Sequence, residues 1–189
     1  MRLFVAAELP HEVRLRLRGI QDELRSLPLP VRWVAPEGMH LTLKFIGEVG
    51  GDRRQPIEAA LEGARHGIAP FRLEVRTVQA LPERGTPRLI WMDVTGDDEA
   101  AAMLQSRIET ALAGAGIPRE RRPFRPHLTL GRVKSAPTGE WRRPLERMAG
   151  AEAGELMVEE YVLFESRLGP GGAAYVPLAR FSLSAAGPR

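Results

Sequence analysis

The chain has no cysteine, and of its 27 basic residues only Lys44 and Lys134 are lysine. Without thiols there is no disulfide staple, no zinc–thiolate site and no cysteine nucleophile. No apolar run is long enough to cross a bilayer, and the opening Met1-Arg2-Leu3-Phe4-Val5-Ala6-Ala7-Glu8 turns acidic too soon for a secretory signal. A soluble, cytoplasmic chain with no membrane partner is expected. The nucleophile-elbow pattern Gly-x-Ser-x-Gly is missing as well, and nothing else marks a serine, which sets a Ser-His-Asp hydrolase aside. Any chemistry must come from other groups.

The 189 residues are 43% hydrophobic and 27% charged, an ordinary globular balance that allows one substantial core or two small lobes sharing an interface. The 25 arginines have planar forks suited to bidentate phosphate recognition. An Ala-, Gly-, Arg- and Pro-rich proteome produces the same bias, so a net charge of +3 is compatible with an anionic ligand without demonstrating one.

Two tetrapeptides stand out, His40-Leu41-Thr42-Leu43 and His127-Leu128-Thr129-Leu130. In an extended strand the side chains alternate between faces, so each copy has His and Thr on one face and both leucines on the other. The apolar face suits a core. The polar face presents an imidazole that titrates near neutrality beside a hydroxyl able to donate or accept.

The element order repeats around these motifs. Residues 2–9 read as a buried strand, and 11–27 as a helix with Val13, Leu17, Ile20, Leu24 and Leu27 at helical spacing. A short strand at 31–34 leads to the motif strand 39–46. A helix opened by Asp52 or Gln55-Pro56 and ending near Gly67 follows, then a strand at 71–78 and a hairpin turn at 82–87. The order then restarts: a strand at 88–94, a helix capped by Asp97 or Asp98 and ending at Gly114 or Gly116, the second motif strand 127–133, a helical piece around 140–149, and strands at 156–164 and 175–183 joined by a turn at 169–172. The motif histidines lie 87 residues apart and the strand openings Arg2-Leu3 and Arg88-Leu89 lie 86 apart. Same order, same motif and a nearly constant offset indicate two units, about 2–80 and 88–166, related by an approximate two-fold within one domain spanning 1–189. The expected fold class is α+β: two pseudo-two-fold-related lobes, antiparallel sheets lining a central cleft, helices outside.

A lone His-x-Thr on a strand reads first as a hydrogen-bonded structural residue; two copies at corresponding places in a repeat weigh against that. Two histidines without a nearby carboxylate triad or cysteines make a poor metal site, since zinc takes three or four protein ligands. Paired general acid–base catalysis on a phosphodiester fits better. One imidazole accepts a proton from attacking water while an imidazolium opposite donates one to the departing oxygen, and the threonine hydroxyls hold the non-bridging oxygens. No cofactor or metal is required. His11 starts a helix and His66 ends one, and neither reads as catalytic.

The sequence resembles the two-histidine phosphoesterases, in particular their RNA 2′,3′-cyclic phosphodiesterase branch, also called 2′-5′ RNA ligase. The resemblance rests on Leu3-Phe4-Val5-Ala6, Arg32-Trp33-Val34, His40 through Gly47, Pro126 through Arg132, and Val162-Leu163-Phe164-Glu165-Ser166. It implies hydrolysis of an RNA 2′,3′-cyclic phosphate to a 2′-phosphate by a monomer, with His40 as proton donor, His127 as proton acceptor, and Thr42 and Thr129 on the phosphate. Reversible 2′-5′ ligation and a non-catalytic RNA- or nucleotide-binding module stand as alternatives. Phe45 and Arg132, five residues after their histidines, are substrate-contact candidates, although in an ideal strand odd spacing turns them to the opposite face unless a bulge re-aims them. The cluster Arg119, Arg121, Arg122 and Arg125, with Phe124 among them, is either an RNA-tracking loop or a solvated one.

Overall fold

The stretch Arg2–Glu8 forms strand β1, with Leu3 through Ala7 buried in succession because both of its faces are covered. Pro10 ends it and leads into helix α1 (His11–Arg25), whose Val13, Leu17, Ile20, Gln21 and Leu24 face inward. Then come β2 (Val31–Trp33), a 3-10 turn at Pro36–Gly38, the first motif strand β3 (His40–Glu48), α2 (Arg54–Ala64) and β4 (Phe71–Leu81). The second half supplies β5 (Leu89–Gly96), α3 (Asp98–Gly114), the second motif strand β6 (His127–Val133), α4 (Arg142–Arg147), β7 (Glu152–Val158), β8 (Glu160–Gly169) and β9 (Gly172–Ser182). The computed structural model describes residues 1–27, 29–136, 141–169 and 172–185.

The fold is α+β, as expected, with two antiparallel sheets ordered β3-β1-β8-β9 and β2-β6-β5-β4-β7. Each motif strand belongs to a different sheet, and β3 and β6 lie against one another where the sheets meet. The chain does not keep its halves apart. Strand β4 pairs with β5 in the sheet of the second motif, and β8 pairs with β1 in the sheet of the first.

Two expectations change. The single strand expected over 156–164 is two strands in different sheets: β7 pairs with β4, β8 pairs with β1, and Glu159 alone separates them. The alternation that buries Leu156 and Val158 gives way after Glu159-Glu160 to the continuous buried run Tyr161-Val162-Leu163-Phe164, and that change of pattern was the sign of the switch. Asp97 does occupy the N-cap position of α3, but its carboxylate accepts the backbone N–H of Arg72 at 2.8 Å instead of capping the helix. The expected 140–149 helix is α4; residue 140 and the tip of the 169–172 turn, Pro170 and Gly171, lie outside the described residues.

Candidate active site

Both motif strands carry a bulge at the same motif position. In the pairing of β1 with β3, Val5 faces Lys44 and Ala6 faces Thr42, leaving Leu43 unmatched. In the pairing of β5 with β6, Ile90 faces Gly131 and Trp91 faces Thr129, leaving Leu130 unmatched. One extra residue flips the parity of all that follow. Leu43 and Lys44 are therefore both buried, as are Leu130 and Gly131, and Phe45 and Arg132 return to the face that carries His and Thr.

Three buried polar residues, Gln21, Lys44 and Glu109, hold these bulges. Lys44 Nζ donates to Glu109 Oε2 of α3 at 2.9 Å and to the Pro118 carbonyl at 2.7 Å. The Gln21 side-chain amide of α1 donates at 2.8 Å to the carbonyl of the bulged Leu130 and at 2.8 Å to that of Val34. A helix from each half thus fixes the motif strand of the other.

The result is a cleft of about 320 Å³ lined by His40, Thr42 and Phe45 from one sheet and by His127, Thr129 and Arg132 from the other. Phe45 is 65% exposed there, far from a core role. Arg125 is not part of the lining. Its guanidinium lies 4.9 Å over the Trp91 ring and reaches Gln79 Oε1 at 3.3 Å and Asp93 Oδ1 at 3.5 Å. Arg119 bonds Thr110, Arg122 pairs with Glu120, and Phe124 packs on the main core, so this loop shows no aromatic platform facing the cleft.

Each imidazole is anchored to the backbone two residues before it. His127 Nδ1 lies 2.8 Å from the Arg125 carbonyl; a carbonyl only accepts, so Nδ1 carries the hydrogen and Nε2 keeps the lone pair. His40 is likewise held by the Gly38 carbonyl. The rings are also clamped by aromatics. His40 stacks on Phe4 at 4.7 Å and meets Tyr175 edge-on at 5.1 Å, and His127 packs on Trp91 at 4.2 Å. Burial dominates their titration. It lowers His40 to about 4, against the Gly38 hydrogen bond and with help from the Arg14 charge, and it lowers His127 with partial relief from Asp93. Both rings are neutral at pH 7 in the free protein.

Sequence reasoning missed Phe4, Trp91, Tyr175 and Asp93. Asp93 lies directly opposite His127 in the strand register, as Glu8 lies opposite His40, a correspondence one residue away from the Arg2/Arg88 alignment. That Asp93 and Glu8 sit in acidic positions of otherwise buried strands was the available signal. Tyr175 had none, because it arrives through the β8–β9 hairpin. A larger groove of about 640 Å³ between α1, β4 and β7 holds no histidine and interleaves its arginines with glutamates.

Two antiparallel sheets that each offer one His-x-Thr to a shared cleft define a two-histidine phosphoesterase site. The sequence profile of the family described as LigT like Phosphoesterase matches residues 8–91 and 95–175, and the chain belongs to that family. It is 33% identical over 187 residues to an RNA 2′,3′-cyclic phosphodiesterase of Methanothermobacter thermautotrophicus, covering 97% of this chain and 99% of that one. To the RNA 2′,3′-cyclic phosphodiesterase of Thermus thermophilus it is 35% identical, with 97% and 90% covered. Among solved structures, a Thermus thermophilus protein superposes with a TM-score of 0.78 at 33% identity, covering 97% and 98% of the two chains. Escherichia coli LigT complexed with 3′-AMP gives 0.78 at 27% identity, covering 96% and 97%.

Proposed function

We propose that this protein hydrolyses 2′,3′-cyclic phosphate ends of RNA to 2′-phosphates by metal-independent acid–base catalysis. The observation that carries the reading is the cleft itself, with one backbone-anchored imidazole from each sheet and a threonine two residues beyond each. His127, with its Nε2 lone pair free, takes a proton from water as the water oxygen attacks phosphorus. The bond from phosphorus to the 3′ oxygen breaks, and that oxygen takes the proton carried by His40. Thr42 and Thr129 donate to the non-bridging oxygens, and Phe45 and Arg132 contact the nucleotide. The phosphodiesterase names of the relatives support the substrate class, and the motif-bearing units 2–80 and 88–166 act together as one bilobal domain.

Turnover of an RNA oligomer ending in a 2′,3′-cyclic phosphate, followed in EDTA, tests the proposal. His40→Ala and His127→Ala should each lower kcat by about 10²–10⁴-fold. Activity surviving both substitutions would sink the mechanism, and loss in EDTA would require a metal. The donor and acceptor roles separate with a substrate whose leaving atom is a bridging 3′ sulfur, which departs without protonation. Such a substrate should restore turnover to His40→Ala; restoration in His127→Ala would reverse the roles. That reversal has a physical basis, since Asp93 favours a proton on His127 while Arg14 opposes one on His40.

A further inference from the structure

A second groove, about 550 Å³, opens from the cleft along β2. The two share Val34, Gly38, Arg132, Ala173 and Tyr175, so they are continuous. At the far side stands Arg32, directly opposite Arg132 in the β2–β6 register. Directly opposed residues of an antiparallel pair project from the same face about 5 Å apart, where like charges destabilise the sheet unless an anion lies between them. Both arginines are exposed, and among the described residues neither has a carboxylate within ion-pair distance. The carboxylate along this groove, Glu37, is paired with neither. Beneath them Val31 and Trp33 lie close against Gly131, which seats β2 tightly on β6.

A cyclic phosphate held between His40 and His127 belongs to the last nucleotide of a chain, and the rest of that chain must leave through an open path. We propose that Arg32, together with Arg132, binds the phosphodiester on the 5′ side of the terminal nucleotide, making the site selective for RNA chains over free nucleoside 2′,3′-cyclic phosphates. This rests on the hydrolytic reading above and adds to it where the chain runs. The fork geometry of the two guanidiniums matches the two non-bridging oxygens of one phosphodiester, which a lysine point charge does not.

The test compares kcat/KM for a short RNA oligomer ending in a 2′,3′-cyclic phosphate with that for a nucleoside 2′,3′-cyclic monophosphate. In Arg32→Gln the preference for the oligomer should fall about tenfold, through a higher KM for the oligomer with little change in kcat, and Arg32→Lys should recover part of it. Fluorescence anisotropy of the same oligomer ending in a 2′-phosphate should show weaker binding to Arg32→Gln and a salt slope smaller by about 0.7. An unchanged preference, or equal losses on oligomer and mononucleotide, would overturn the proposal. Should the unmodified protein turn over neither substrate, the hydrolytic reading fails separately. The anisotropy then decides, with equal binding by wild type and Arg32→Gln overturning the clamp.

Discussion

An imidazole packed between aromatic rings gives up the water that would solvate its cation, and His40, stacked on Phe4 and edge-on to Tyr175, shows the cost as a pKa near 4. The proposed acid–base mechanism nevertheless needs one of the two rings protonated. The competent form of the free protein is therefore the singly protonated pair, which is populated between the lowered pKa values of His40 and His127, below 6.5, and which empties as pH rises. kcat/KM should peak on the acid side of pH 6.5 and fall about tenfold per unit above neutrality. A pH–rate profile over about pH 4.5–9 checks this, and a plateau persisting through about pH 8 would contradict it. The expectation belongs to the pair and holds whichever ring is the acid.

At the scale of the strand, the repeated motif announced its own faces correctly up to Thr42 and Thr129 and then misled. Leu-Thr-Leu reads as unbroken alternation, but the chain adds one residue at Leu43 and Leu130, and the parity argument that sent Phe45 and Arg132 away from the site fails there. What licenses each bulge lies far off in sequence: Glu109 receives Lys44, and Gln21 donates to the Leu130 carbonyl. A buried lysine is rarely tolerated without such a partner, so Lys44 amid apolar residues was the one legible hint. Gly131 tests the second bulge. A Cβ there would come 2.4 Å from Val31 Cγ1, 3.0 Å from Trp33 Cε3 and 3.2 Å from the Arg32 carbonyl oxygen, so Val31 must shift and the seat of β2 on β6 is crowded. Gly131→Ala should lower stability by about 1–3 kcal/mol in urea unfolding and weaken oligomer turnover more than mononucleotide turnover, because Arg32 rides on β2.

Over the whole molecule, the two halves of the chain, each carrying one motif, are bound together by exchange. Strands β4 and β8 each complete the sheet of the opposite motif, and α1 and α3 each brace the opposite motif strand. The motif duplication was visible because it repeats residues; the exchange was not, because the residues of a strand do not name the neighbour it pairs with. Lys44–Glu109 measures how tightly the halves are joined, being 4% and 8% exposed at the side chains. Lys44→Met leaves the Glu109 carboxylate buried without its cation and should cost about 3–5 kcal/mol, whereas Lys44→Met with Glu109→Leu should recover most of that loss. A double-mutant cycle in urea unfolding reads the difference, and additive losses would contradict it. The neutrality of the two clamped imidazoles also reaches beyond the cleft. An anion that settles between them raises their affinity for protons, so the complex must draw a proton from solution as it forms. Part of the heat of binding then belongs to the buffer that surrenders the proton, and the apparent affinity for phosphate ligands weakens as the medium turns alkaline even though no contact is lost.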